Sequence, residues 1–385
     1  MRFPRLAILA PGWTAAPERT ELLKVLIEDV ANELARHRTF AVLAPHSSFQ
    51  VDHDSGVPRK NGILRADYTV SGFVKPRGSG ESLALRMVNC ARQEIVWAAE
   101  FPISQSELMS SFRMLAIRIS ASLASGLETD MLLHLRKNGS GTAYLHYLEG
   151  QRWLKNCDLP RLRRARKAFG ESISKDGRFA PAHARIAQTL YLEWLLLGGD
   201  DPRLLVDARE HAGLALALDP NNALGHWMAG VISLYQRDFD HSAEKFEEAE
   251  VLNPNSADLL VQHADALSHF GNAEAGWKKF ERAIDLNPLP PDHYWWAGAS
   301  IAFVQGDLAR SIELCGRLKN DEPVLRLLAA SHALAGNIEP ARTYGKRLAE
   351  LYPGQSAAQM FKIAPDRDSR VLNRFLEGLR LAGVK

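Results

Sequence analysis

A proline recurs every 34 residues along the middle of this chain, at Pro220, Pro254 and Pro288. Each of these prolines follows a leucine and then an aspartate or an asparagine. A fixed period of this length indicates one supersecondary unit copied in series, which builds a solenoid. Because solenoids made of helix pairs mostly present surfaces that bind other proteins, the period predicts a binding scaffold rather than an enzyme.

The repeated unit predicts two helices joined by a tight turn. In the unit 257–290, the first helix is expected to end at Gly271, since glycine adopts left-handed backbone readily. The second helix is expected to end ahead of Pro288, which cannot extend it. Small residues are expected where the two helices approach, with one bulky aromatic between them: Ala264, Gly276, Phe280 and Ala283.

This order of small, small, aromatic, small and proline residues resembles the tetratricopeptide repeat, and five offsets agree between neighbouring units. We expect about six units over residues 143–355, the first two being degenerate. The region 368–385 predicts a C-terminal capping helix, whose apolar positions would cover the last repeat.

Residues before about 130 do not follow the period and predict a separate domain. The pattern alternates strand and helix before a meander and a closing helix, with elements expected at 6–10, 18–36, 40–44, 68–74, 82–90, 95–101 and 105–127. The predicted fold class is therefore an α/β N-terminal domain, at 1–130, plus an all-α tetratricopeptide-repeat superhelix.

Local phrases in this first region resemble the TolB N-terminal-like domain. They are Phe-Ala-Val-Leu-Ala-Pro-His-Ser-Ser-Phe at 40–49, Ala-Asp-Tyr-Thr-Val-Ser-Gly-Phe-Val at 66–74 and Glu-Ile-Val-Trp-Ala-Ala-Glu-Phe at 94–101. In the bacterial chains to which the resemblance points, this domain precedes tetratricopeptide repeats and often follows a winged-helix DNA-binding domain or a class III adenylate cyclase domain. Neither of those effector domains is found in the sequence, and the Gly/Pro-rich segment 52–58 departs from the helix usual at that place.

Composition argues against several partners and compartments. The net charge is +2, which gives no global attraction to nucleic acid or to acidic membranes. Cys90, Cys157 and Cys315 are isolated and suit a reducing cytoplasm. The apolar run near the N-terminus is too short for a signal peptide, and no window approaches a transmembrane span. We therefore expect a cytoplasmic protein without a membrane partner.

Motifs that carry chemistry are not found. The sequence has no phosphate-binding loop with Lys-Ser or Lys-Thr, no Gly-x-Ser-x-Gly elbow and no His-Glu-x-x-His cluster. His263 and His269 lie six residues apart on one predicted helix, a poor spacing for a shared metal ion. We expect no catalytic residue, no cofactor and no metal.

Two sets of residues are candidates for partner binding. First helices line the inner surface of tetratricopeptide superhelices, and the resemblance therefore places in the groove Tyr191, Trp227, Asp265, His269, Trp296 and Arg326. The alternative for each aromatic is simple packing, since large aromatic side chains are mostly buried. The second set is a basic run, either a solvated helix face or a patch for an acidic partner or nucleic-acid phosphate: Arg161, Arg163, Arg164, Arg166 and Lys167.

Two classes of function stay open at this point. The first is a non-catalytic protein–protein interaction scaffold in bacterial signal transduction or transcriptional regulation, which binds a protein partner on the concave face of the repeats. The second is the accessory or regulatory portion of a class III adenylate cyclase system. An envelope protein related to TolB is disfavoured, because export-signal and propeller patterns are missing. The sequence identifies neither the partner nor the oligomeric state.

Overall fold

The computed structural model describes residues 4–9, 17–36, 40–44, 48, 65–77, 80–103, 112–138, 142–154, 158–287, 290–353, 356–357 and 363–384. The expectations on 52–58, Pro288 and Cys157 fall outside these residues. The chain divides into two compact units, one of Met1–Arg152 with Ser174–Gly177, the other of Trp153–Ile173 with Arg178–Lys385. Each unit is described by itself.

The first unit is built on a five-stranded sheet with the strand order β2-β1-β3-β4-β5. Its strands are β1 Arg5–Ile8, β2 Ala41–Val42, β3 Tyr68–Arg77, β4 Gly80–Asn89 and β5 Glu94–Ile103. Strand β1 pairs in parallel with β2 and β3, whereas the β3–β4 and β4–β5 pairs are antiparallel. This is the predicted strand–helix–strand arrangement followed by a meander.

Two helices of the first unit, α1 Pro17–Ala35 and α2 Phe112–Asn138, bury apolar residues in one cluster with residues of this sheet. Helix α2 runs past residue 130, and helix α3, Ala143–Trp153, follows it in the chain. Leu26, Val30 and Leu34 of α1 share one buried cluster with Ile119 and Leu123 of α2. Burial of such side chains stabilises the unit by about 1.5–3 kcal/mol each.

A buried polar cluster fixes α2 to the sheet. The carboxylate of Asp130 accepts hydrogen bonds from the Tyr68 hydroxyl (2.8 Å) and the Asn89 amide (3.2 Å), and it pairs with Arg92. Burial, together with this carboxylate, raises the pKa of Tyr68. Each of these polar groups therefore has a hydrogen-bond or ion-pair partner within the cluster.

The second unit consists of helices packed in successive pairs. They are α4 Leu159–Lys175, α5 Ala180–Leu196, α6 Pro202–Leu218, α7 Ala223–Tyr235, α8 Phe239–Leu252, α9 Ala257–His269, α10 Ala273–Leu286, α11 Asp292–Gln305, α12 Leu308–Cys315, α13 Leu325–Leu334, α14 Ile338–Leu351 and α15 Ser369–Leu381. The predicted fold class, an α/β first region and an all-α repeat region, is confirmed.

The helix pairs form as the repeat pattern requires. Gly271 and Gly306 follow the first helices α9 and α11 with φ of 93° and 88°, the left-handed backbone that glycine adopts without strain. Phe280, the predicted aromatic, is almost fully buried and lies against Gly298 of the next pair. A Cβ atom at Gly276 would lie 2.6 Å from the carbonyl oxygen of Ala264, so the close approach of α9 and α10 depends on glycine.

Helix α15 covers the end of the repeats. It packs on α13 and α14, and the ring of Phe375 lies 4.8 Å, centroid to centroid, from that of Phe303 on α11. Gly378 brings its backbone against Ala330 of α13, and Leu379 is fully buried. The apolar side of this helix therefore keeps the last pair out of water.

Candidate functional site

The predicted groove residues all lie on first helices of successive pairs. They are Tyr191 on α5, Trp227 on α7, Asp265 and His269 on α9, Trp296 on α11 and Arg326 on α13. Their exposure differs widely: Tyr191 is 4% exposed, whereas Trp296 is 37% exposed. Trp227, Asp265, His269 and Arg326 are half-buried.

Tyr191 is part of an aromatic cluster between helices. Its ring centroid lies 5.6 Å from that of Tyr235, which in turn lies 5.1 Å from the ring of Trp194. Burial raises the pKa of Tyr235, with the negative charge of Asp265 acting in the same direction. The contacts of Tyr191 thus favour packing as its role, and a binding role for it stays a prediction.

Trp227 carries a buried polar atom without a partner. Its indole Nε1–H is out of contact with solvent and donates no hydrogen bond to any residue that the structure describes. Buried N–H groups are nearly always paired, so such a donor is a point where an acceptor from a ligand would be stabilised. Arg326 is a second polar group in a dry environment, since burial lowers the pKa of its guanidinium.

His269 lies between two carboxylates. Its Nδ1 is 2.8 Å from Oδ1 of Asp366, and its Nε2 is 3.7 Å from Oδ2 of Asp265. Burial alone would lower the pKa of His269, but the hydrogen bond to Asp366 and the charges of both carboxylates outweigh it, so the pKa is raised. Burial is also the main reason why the pKa of Asp265 is raised.

Asp366 belongs to a non-helical segment of the chain's own C-terminal region, residues 363–367, which we call the strap. The strap crosses the ends of the first helices α5, α7 and α9. Arg237, which follows α7, donates hydrogen bonds from Nη2 to the carbonyl oxygen of Ala364 (2.8 Å) and from Nη1 to that of Asp366 (3.2 Å).

Two further contacts hold the strap at its ends. The backbone N–H of Arg367 donates to the carbonyl oxygen of His269 at 3.0 Å. At the other end, Ile363 lies so close to Gly199 that a Cβ atom there would overlap the Cγ2 methyl of the isoleucine. The sequence pattern identified Asp265 and His269 but missed the strap, because Asp366 is 97 residues from His269 and outside the 34-residue period.

The basic run on α4 is largely engaged within its own unit. Arg163 and Arg166 both bond to the carboxylate of Glu193 on α5, and Arg161 pairs with Asp158 at 3.1 Å. Burial raises the pKa of Glu193, yet the two arginine hydrogen bonds outweigh it and the net pKa is lowered. Arg164 lies over the ring of Trp153, 5.1 Å from its centroid. A structural role accounts for these contacts, and a partner patch stays a prediction.

Other kinds of site find little support in the described part of the chain. No group of three or more His, Cys, Asp or Glu residues there is arranged to hold a metal ion. Burial raises the pKa of the Cys315 thiol to about 12, which makes it unreactive. Among the described helices, none combines the length and apolar character needed to cross a membrane.

Comparisons with known proteins give distant relatives. No family model matches the chain. The transcriptional regulator HilA of Salmonella typhimurium is 22% identical over 295 residues, which cover 74% of this chain and 52% of HilA. The same match is found with HilA of Salmonella typhi and Salmonella paratyphi A. The chain thus spans about half the length of the curated relatives it matches.

Solved structures give further distant similarities. A tetratricopeptide repeat protein from Parabacteroides merdae is 14% identical, with a TM-score of 0.40, and the match covers 72% of this chain and all of that one. TolB from Acinetobacter baumannii is 15% identical, with a TM-score of 0.24, over 33% of this chain and 29% of TolB. These are likenesses of fold.

Proposed function

We propose that this chain is a non-catalytic protein–protein interaction scaffold in bacterial signal transduction or transcriptional regulation, which binds a segment of a partner on the inner face of its repeats. The observation that carries the proposal is the indole N–H of Trp227, which is buried and donates to no residue within the described part of the chain. Trp296, exposed on a first helix two pairs further on, offers an aromatic anchor of the kind in which binding energy concentrates.

The regulatory part of the proposal is supported by the similarity to HilA, a transcriptional regulator. The proposal includes a TolB-like domain at 1–130, repeats at 143–355, a capping helix at 368–385 and a cytoplasmic location. It also holds that this chain alone does not bind nucleic acid. The adenylate cyclase alternative receives no support from the relatives described above.

The binding face is tested by quantitative pull-down from a host lysate with three variants. Trp227→Phe keeps an aromatic ring and removes the N–H, while Trp296→Ala removes a ring that is 37% exposed, and each variant is assayed well below its own melting temperature. Val251→Ala is the matched control, since this side chain is 80% exposed on the second helix α8. We expect both tryptophan variants, and not the control, to lose the same partner.

Two results would contradict this assignment. If both tryptophan variants retain every partner, the inner face is not the site. If the partner is lost only when Arg164 and Lys167 are replaced by alanine, the basic run is the site instead. The regulatory part is tested separately: we expect Trp296→Ala in the host to change transcript levels without changing the level of cyclic AMP, and a fall in cyclic AMP alone would favour the cyclase alternative.

A further inference from the structure

The strap is held through atoms that a foreign peptide also carries. Two of its carbonyl oxygens accept from Arg237, and one of its N–H groups donates to the backbone of His269. Three side chains of the strap make contacts as well: Ile363 at Gly199, Asp366 at His269, and Arg367, whose guanidinium lies 5.7 Å from the ring centroid of Phe239 and 3.9 Å from the Asp240 carboxylate. Recognition of a strand through backbone hydrogen bonds and alternate side chains is a recurring mode of peptide binding.

Arg237 occupies a backbone conformation that other turns of the unit give to glycine. Its φ is 64°, and the turns after α9, α11 and α13 place Gly271, Gly306 and Gly336 at φ of 93°, 88° and 83°. A side chain in left-handed backbone is strained, because its Cβ atom lies too close to the following carbonyl oxygen. A residue kept in this strained conformation points to a role for its side chain, and the guanidinium of Arg237 reaches the strap with both terminal nitrogens.

Charge at this surface also selects its occupant. The guanidinium of Arg237 and the imidazole of His269 contact the strap, with the half-buried Asp265 on the other side of the imidazole. A second carboxylate in the position of Asp366 completes the hydrogen bond to Nδ1. The surface therefore favours an acidic side chain placed three residues after an aliphatic one, as in Ile363 and Asp366.

We infer that Gly199, Arg237 and His269 form a docking site for an extended segment of a partner protein. In this segment an aliphatic residue is followed three positions later by aspartate. The strap occupies the site until such a segment replaces it. The inference rests on the proposed function in that it requires a protein partner. Because the strap is tethered to α15, its effective concentration is high, on the order of millimolar. A free peptide therefore competes poorly with the wild-type strap.

The test uses the full chain with a weakened strap. In the double variant Ile363→Ser/Asp366→Asn, we expect the amide of Arg367 to exchange with solvent faster than in wild type, since its hydrogen bond to His269 is no longer held. The probe is a fluorescent peptide with the sequence of residues 363–368, Ile-Ala-Pro-Asp-Arg-Asp, and its binding is followed by fluorescence anisotropy. We expect the double variant to bind this peptide at least about tenfold more tightly than wild type does.

Adding Arg237→Gly to the double variant is the specific control. Glycine fits the left-handed turn, so that the melting temperature is not expected to fall, whereas the loss of two charge-assisted hydrogen bonds is expected to weaken peptide binding at least about tenfold. A peptide with asparagine in place of its first aspartate is expected to bind more weakly as well.

The inference is overturned by any of three results. The first is that the Arg367 amide exchanges at the wild-type rate in the double variant. The second is that this amide exchanges faster but the double variant does not bind the peptide. The third is that Arg237→Gly leaves the affinity for the peptide unchanged. None of these measurements involves Trp227 or Trp296. A failure of the docking site and a failure of the proposed partner groove are therefore distinguished.

Discussion

At the scale of single residues, His269 makes the strap sensitive to pH. The groups that face its imidazole are Asp265 on the same helix and Asp366 on the strap, with the guanidinium of Arg237 bonded to the strap beside it. Tyr235 on α7 lies near the two carboxylates. Burial opposes the charged imidazolium, but the carboxylates prevail and raise the pKa of His269. The docked strap therefore holds a proton on this side chain more firmly than the released one does.

We predict that the strap loosens as the pH rises above the ordinary pKa of histidine, about 6.5, and through the raised pKa of His269. The stabilisation is fully present below the ordinary pKa of histidine and is lost as the pH passes the raised value. The measurement is the protection of the Arg367 amide against hydrogen exchange, corrected for the intrinsic effect of pH. His269→Gln, which is neutral throughout, is expected to show a flat profile. An equal slope in wild type and His269→Gln would contradict the prediction.

At the scale of helices, two glycines distinguish the effect of close helix packing from the effect of helix propensity. Gly276 lies in α10 beneath the carbonyl of Ala264, whereas Gly213 lies in α6 with nothing within 4 Å of a Cβ atom built on it. We predict that Gly276→Ala lowers the free energy of unfolding by about 1–3 kcal/mol through overpacking. Gly213→Ala is expected to raise it by up to about 1 kcal/mol, since alanine favours the helix. Urea unfolding measures both, and stabilisation by both substitutions would show that α9 and α10 are not closely packed at Gly276.

The helix pairs were predictable from the sequence because their contacts repeat. Phe280 and Gly276 meet neighbours at fixed offsets, and a period of 34 residues reveals such offsets even within one chain. The strap was not predictable, since its contacts with Arg237 span about 130 residues and occur once. One signal was present: the turn after α7 carries Arg237 at the place where the next turns carry glycine. A residue that departs from the repeat pattern, such as Arg237, thus indicates a contact with a segment outside the repeats.

At the scale of the whole chain, the absence of catalysis is itself a testable proposal. The described residues hold no cluster suited to a metal ion, and the sequence has no phosphate-binding loop. We predict that the purified chain neither makes cyclic AMP nor hydrolyses ATP, as measured by product formation with Mg²⁺ and with Mn²⁺. Turnover that a single substitution in this chain abolishes would contradict the prediction and show an enzyme.

The strap also changes how stability is shared along the second unit. In a solenoid each repeat contacts only its neighbours, so that a local defect loosens only nearby units. Here Ile363 reaches Gly199 at the end of α5, far earlier in the sequence, while α15 holds the other end of the strap on α13. A substitution in the strap should therefore loosen the helix pair that contains α5, although α15 does not neighbour that pair.

We predict that Ile363→Ser accelerates hydrogen exchange at the amide of Gly199, which bonds to the carbonyl oxygen of Trp194. The amide of Gly316, bonded within α12 and outside the strap's contacts, is the internal reference and is expected to keep its wild-type rate. Val251→Ser is the matched control, because it places the same polar group at an exposed position. If Ile363→Ser leaves the exchange rate of the Gly199 amide unchanged, or accelerates the Gly316 amide equally, the strap does not couple the ends of these repeats. We expect selective acceleration at Gly199 because Ile363 packs against this turn and protects it from local opening.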